Sequence, residues 1–128
     1  MKLLLDTHAL AWWLADSPKL SRTAREHIGT PSNEVFVSVA SAWEIATKTR
    51  LGKWPEAATL ASIFPGVIEA SGFEPLAITV HHAIHAGALL IAHADPFDRM
   101  LAAQAELEGM TLVTADTAFA QFNAPILW

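Results

Sequence analysis

Four carboxylates follow or open apolar runs. Asp6 closes Leu3-Leu4-Leu5, and Glu44 follows the apolar patch Val35-Phe36-Val37. Asp98 opens the segment 98–105, and Asp116 follows Leu112-Val113-Thr114. If the runs are parallel strands, their carboxyl ends share the sheet edge where open α/β folds build their sites. Carboxylates gathered there repel by about 4 kcal/mol per pair at ~4 Å and an effective dielectric near 20. A cation between them or a shared proton relieves that repulsion. Hard cations such as Mg²⁺ take oxygen ligands, keep several waters, and are held by one or two carboxylates plus a substrate phosphate. An ion so held lowers the pKa of a bound water and offsets charge on a phosphodiester in flight.

Each acid also has a structural competitor. Asp6 suits the cap of a helix beginning at Thr7. Ser41-Ala42-Trp43-Glu44 matches a capping box, with Glu44 reaching back to the Ser41 amide. In Asp95-Pro96-Phe97-Asp98, Asp95 suits the cap, Pro96 the first helical position, and Asp98 favours the helix dipole. Asp116 suits the cap of a short turn around Thr117–Phe119. The set argues more strongly than its members, because a cap needs only one acceptor and Ser, Thr or Asn supplies it equally well.

The elements that must position these acids alternate in type. Strands are expected at Lys2–Leu5, 35–38, 73–78, Thr111–Val113 and Ile126–Leu127. The third is weakened by Pro75. Helices are expected at 7–15, 21–28, 41–51, 55–64, 80–92 and 96–107, with proline or glycine at most of their ends. This alternation indicates an α/β domain with a mainly parallel sheet. At 128 residues, one domain over 1–128 is the expectation.

Composition narrows the function classes. A hydrophobic content of 52% fits a sheet buried on both faces, or an apolar patch that docks a partner. No apolar run is long enough to span a membrane. The opening Met1–Asp6 is too short for a signal peptide. Cysteine is absent, which removes disulfides and thiolate chemistry. A cytoplasmic location fits. Residues 1–53 carry seven basic and five acidic side chains, and residues 54–128 carry one and eight. Nucleic-acid binding by bulk charge is therefore unexpected. A local basic patch for phosphate beside acids for a metal is compatible with this pattern.

Four blocks of the chain resemble the signature blocks of PIN-domain proteins, and most closely the bacterial VapC-type toxin ribonucleases. They are Leu4-Leu5-Asp6-Thr7-His8-Ala9-Leu10, Ser41-Ala42-Trp43-Glu44-Ile45-Ala46, the run from His93 to Ala105, and Leu112-Val113-Thr114-Ala115-Asp116. The first and third are the more specific. The resemblance implies a three-layer α/β/α sandwich around a parallel sheet. It also implies Mg²⁺- or Mn²⁺-dependent RNA cleavage, and a cognate VapB-like antitoxin that blocks the site. Asp6, Glu44, Asp98 and Asp116 match the acidic quartet. Asp6 and Asp98 are then the direct metal ligands. Asp116 binds a second ion or holds its water, and Glu44 orients or deprotonates the attacking water. Asp95 is an additional acid, left as a cap or supporting group. Thr7 and Thr114 are expected to bond the carboxylates or a phosphate.

Other chemistry-bearing residues carry weaker signals. His81 and His85 have the spacing of a helical zinc pair, but His82 stands where metalloprotease chemistry needs glutamate. With His93 they are expected to be surface or partly buried side chains, and His8 to be a packing residue. Lys48, Arg50 and Lys53 suit a helix end or RNA phosphates. Arg99 suits an acid partner or a phosphate. Trp12 and Trp13 are adjacent on a helix, so one is expected to face a second subunit or the antitoxin. A symmetric dimer is the default for a small apolar-rich domain. Other classes fit less well. A signalling receiver needs a lysine after its last core strand, and none follows Lys53. An aspartyl phosphatase needs a second aspartate two residues after the first, where His8 stands. A non-catalytic PIN-like module would have no need of four acids.

Overall fold

Leu3, Leu4 and Leu5 are all fully buried. Strand alternation sends them to opposite faces of β1 (Lys2–Leu5). On one face Leu3 and Leu5 pack with Ala9 and Leu10 of α1 (Thr7–Leu14), Ala24 and Ile28 of α2 (Arg22–Ile28), and Ile68 of α5 (Gly66–Ala70). On the other face Leu4 packs with Leu101, Ala102 and Ala105 of α7 (Pro96–Glu108). Helices thus cover both faces, giving a three-layer α/β/α sandwich in this computed structural model, which describes residues 1–128.

The sheet is parallel throughout. It also contains β2 (Glu34–Ser38), β3 (Glu74–Leu76), β4 (Thr111–Val113) and β5 (Ile126–Leu127), in the order β3-β2-β1-β4-β5. The chain leaves β1 toward β2 and β3, then returns to β4 on the other side of β1. The order therefore reverses between β1 and β4, and the crevice outside their carboxyl ends is the topological switch point.

Several boundaries differ from expectation, each for a local reason. The third helix, α3 (Val39–Arg50), starts two residues before the Ser41 start suggested by the capping-box pattern. Ser38 caps it by accepting the Ala40 amide at 3.0 Å, and donates its own hydroxyl to Gln104. The box predicted at Ser41 and Glu44 is therefore absent, and Glu44 is free for other partners. The helix expected over 55–64 is a 3-10 turn, Pro55–Ala57, followed by α4 (Ala58–Ile63). It stops where Phe64, extended at ψ 140°, precedes Pro65. The unanticipated α5 follows. The strand expected over 73–78 shortens to the three residues of β3, as Pro75 on an edge strand dictates.

The helix expected over 80–92 is α6 (Val80–Ala88), and residues beyond it leave the helix. By contrast α7 ends just before Gly109, whose left-handed φ of 65° suits only glycine without strain. Trp12 and Trp13 are both partly buried against the same cluster. Trp12 meets Trp128 and Trp13 meets Phe73. No helix is long and apolar enough to cross a membrane.

Candidate active site

Asp6 follows β1 directly and so stands at the switch point. It is buried and serves two masters. Its Oδ1 caps α1 by accepting the Ala9 amide at 2.7 Å, and its Oδ2 accepts the Thr114 hydroxyl. Thr114 follows β4 and also accepts the Asp116 amide at 3.0 Å. One threonine thus ties the ends of the two central strands together. Asp116 then caps the 3-10 turn Thr117–Gln121 through Ala118.

The other two quartet acids arrive on helices rather than at strand ends. Glu44, buried in the second turn of α3, accepts the Thr7 hydroxyl at 2.5 Å and pairs with Lys48 one turn on at 2.5 Å. Thr7 also reaches Ser41 at 3.0 Å. Asp98 sits in the first turn of α7, whose cap is Asp95 and whose first residue is Pro96. The Oδ2 of Asp98 lies 2.8 Å from His93 Nε2. All four quartet acids and Asp95 line one cavity of about 180 Å³, with Thr7, His8, Lys48 and Phe119. Larger cavities of about 490 Å³ and 590 Å³ lie elsewhere, but neither collects more than two acids.

The electrostatics follow from that convergence. Burial pushes the Asp6 carboxyl up to about 6, against the Thr114 and Ala9 bonds and with further lift from Glu44 and Asp116. Burial likewise pushes Asp98 up to about 6, opposed by His93 and reinforced by Asp95 and Glu44. Burial lowers the pKa of His8. The acids do not form a ready-made cage, since no three of the potential ligands enclose one point. An ion needing a complete protein shell would not fit. One that takes one or two carboxylates and completes its shell with water and phosphate would.

Not every sequence candidate reaches this cavity. Arg99 pairs with no acid and does not line the cavity. Its guanidinium bonds the carbonyls of Ala86, Leu89, Ile91 and His93 at 2.7 to 3.0 Å. It is the reason α6 stops early, because it satisfies the freed carbonyls of the last turn and of the segment beyond. The same segment carries His93 and Asp95 into the site. Arg99→Ala is expected to lower stability by about 3 kcal/mol, since charge-assisted bonds are worth roughly 1.5–3 kcal/mol each and water replaces some of them. Urea unfolding measures this, and an unchanged midpoint would remove the role. Arg50 is exposed at the end of α3 and does not line the cavity.

The zinc-pair spacing comes to nothing. His85 meets Glu106 at 2.6 Å, while His81 is exposed. His82, expected near the surface, is buried, forms a capping box with Thr79 and meets Glu108 at 2.8 Å. Sequence reasoning undervalued two other histidines. His8 lines the cavity, and His93 contacts Asp98. The nearness of His8 to Asp6 and of His93 to Asp98 was the available signal.

A parallel α/β domain with carboxylates convergent on its switch point defines a class of acidic-pocket proteins. The PIN domain description matches residues 3–125, and the chain belongs to the PIN-domain family. Ribonuclease VapC16 of Mycobacterium tuberculosis is 42% identical over 53 residues. That match spans 41% of this chain and 38% of the relative's length. Among solved structures, VapBC-1 from nontypeable Haemophilus influenzae superposes with a TM-score of 0.65 at 15% identity, covering 98% of this chain and 96% of that one. VapBC2 from Rickettsia felis, bound to a DNA fragment from its promoter, gives 0.63 at 16%, covering 98% and 97%. At these identities the likeness is one of fold.

Proposed function

We propose that this chain is a divalent-metal-dependent endoribonuclease and the toxin of a type II toxin–antitoxin pair. The carrying observation is the quartet Asp6, Glu44, Asp98 and Asp116 around one small cavity, with two of the acids raised to about 6. Membership of the PIN-domain family and the local likeness to a VapC ribonuclease support the same reading.

In this reading Asp6 and Asp98 hold Mg²⁺ or Mn²⁺, with Asp116 supporting a second ion or its water. The ion would supply a nucleophilic water at neutral pH and offset charge on the phosphodiester. Glu44 orients the attacking water, held in place by Thr7 and Lys48. His93 fixes the Asp98 carboxylate. Lys48, the one basic side chain lining the cavity, faces the substrate's phosphates. The protein works in the cytoplasm as a homodimer, and a VapB-like antitoxin covers the site.

The direct test is incubation of the purified chain with mixed-sequence single-stranded RNA. Cleavage should appear with Mg²⁺ or Mn²⁺ and stop on chelation. Intact RNA with every divalent ion tried would replace the enzyme with a non-catalytic RNA- or protein-binding module. Growth arrest on expression, relieved by the neighbouring gene product, tests the toxin role separately.

A further inference from the structure

Hydrogen bonds within the protein occupy most of the quartet's oxygens. Both oxygens of Asp6 accept, from the Ala9 amide and the Thr114 hydroxyl. Both oxygens of Glu44 accept, from Thr7 and Lys48. Asp116 gives Oδ1 to the Ala118 amide at 2.9 Å, and Asp98 gives Oδ2 to His93 at 2.8 Å. Asp98 Oδ1 and Asp116 Oδ2 are left unbonded. The Asp116 partner is a backbone amide of its own turn, whereas the Asp98 partner is a side chain from the segment before α7. A carboxylate only accepts, so His93 Nε2 carries the hydrogen. Asp98 has no capping duty, because Asp95 accepts the amides of Phe97 and Asp98. His93 is itself held twice. Its ring lies edge-on to Phe122 at 5.8 Å and tilted to Phe119 at 6.4 Å. Its carbonyl accepts the Arg99 guanidinium at 3.0 Å. Arg99 follows Asp98 directly, so one turn of α7 fixes both the acid and the donor that meets it.

We propose that His93 is a positioning residue that withholds one oxygen of Asp98 from the metal, and so biases the acidic cavity toward Mg²⁺ or Mn²⁺ over Ca²⁺. The inference rests on the metal-dependent reading and deepens it by assigning ion selectivity to a residue outside the quartet. Ca²⁺ gathers about six to eight oxygens in flexible geometry and takes carboxylates through one oxygen or both. Mg²⁺ demands a near-ideal octahedron and uses one or two carboxylates with several waters. A carboxylate pinned through Oδ2 offers Oδ1 alone, and offers it in a fixed direction. That suits the small ion and starves the large one. A freely rotating donor would yield Oδ2 to a large cation at little cost. His93 is not free, because its ring packs on two phenylalanines and its backbone is tied to Arg99. His93 does not line the cavity, so it acts through Asp98 and not as a ligand.

The test reads Mn²⁺ binding to the full, RNA-free chain from loss of the free-ion electron paramagnetic resonance signal, with Ca²⁺ measured by competition. The unmutated chain should prefer Mn²⁺. His93→Phe keeps the ring packing and removes the donor. It should weaken Mn²⁺ binding by about 10–100-fold, the usual cost of losing a group that orients a metal ligand. Ca²⁺ binding should change much less, so the preference shrinks. His93→Gln, which presents an N–H where Nε2 stood, should recover much of it. The Mn²⁺ concentration for half-maximal RNA cleavage should rise in His93→Phe by the same factor as the binding constant. An unchanged Mn²⁺-over-Ca²⁺ preference in His93→Phe would overturn the proposal. So would equal weakening of both ions with no rescue by His93→Gln, which is what a merely structural role gives. A His93-dependent preference in a chain that never cuts RNA would keep the positioning role and remove the nuclease reading. RNA cleavage by a chain whose His93→Phe variant keeps its ion preference would do the opposite.

Discussion

Asp98→Asn is expected to lower RNA cleavage by about a thousandfold or more while leaving the metal-free protein at least as stable as its parent. The first half follows from the several kcal/mol of charge stabilisation that a bound ion supplies, at about 1.4 kcal/mol per factor of ten. The second half follows from the environment. Asp98 lies near Asp95 and Glu44, and its carboxyl is raised to about 6, so its ionised form is disfavoured before any cation arrives. Asparagine removes that charge and keeps a carbonyl for His93 Nε2 to reach at 2.8 Å. Asp98 is only half buried, so solvent screens part of the penalty and the gain is modest. At Asp6 the same change is less clean, because the Thr114 hydroxyl would lose its acceptor. Cleavage rates and thermal melts of both proteins check the pair of outcomes. Full activity in the Asp98→Asn protein would show that the chemistry lies elsewhere.

Raising the pH from 4 to 7 should cost the metal-free protein about 2.4 kcal/mol through Asp6 alone, most of the total set by about 1.4 kcal/mol per pKa unit. The sign follows from proton binding. The folded carboxyl titrates near 6 and the unfolded one near 3.8, so the folded state holds the proton more tightly. The stability carried by the protonated form is complete below about pH 4 and lost as pH rises through about 6. Asp98 adds a smaller loss in the same window. Against a domain stability of roughly 5–15 kcal/mol, this is a large share. Millimolar Mn²⁺ should return much of it at pH 7 and little at pH 4, where the ligands are protonated. Melts across pH with and without Mn²⁺ read this directly. A metal-free profile flat from pH 4 to 7 would mean that these acids are solvated, not crowded.

What was legible in the sequence was local. Asp95-Pro96 announces a helix start through one acceptor and one fixed φ, and the helix begins there. Leu3-Leu4-Leu5 announces a strand buried on both faces, and Asp6 follows it. What was hidden depended on distant partners. Ser41 and Glu44 satisfy a capping pattern, yet Ser38 won the cap because its hydroxyl also reaches Gln104, 66 residues away. Leu89-Leu90-Ile91-Ala92 looks like continuing helix. Arg99 instead gathers carbonyls on either side of the helix end, which no window of periodicity reports. His93 enters the site on that diverted segment, so its contact with Asp98 was equally invisible.

Both margins of the sheet are blunted. At one, β3 has three residues and places Pro75, which has no amide hydrogen, opposite Val37. At the other, β5 has only two residues. A chain with 52% hydrophobic residues would otherwise be prone to lateral strand addition and fibre growth. Self-association of the folded molecule is thereby steered away from backbone pairing and toward side-chain contacts between helices, which a polar substitution can tune without touching the sheet.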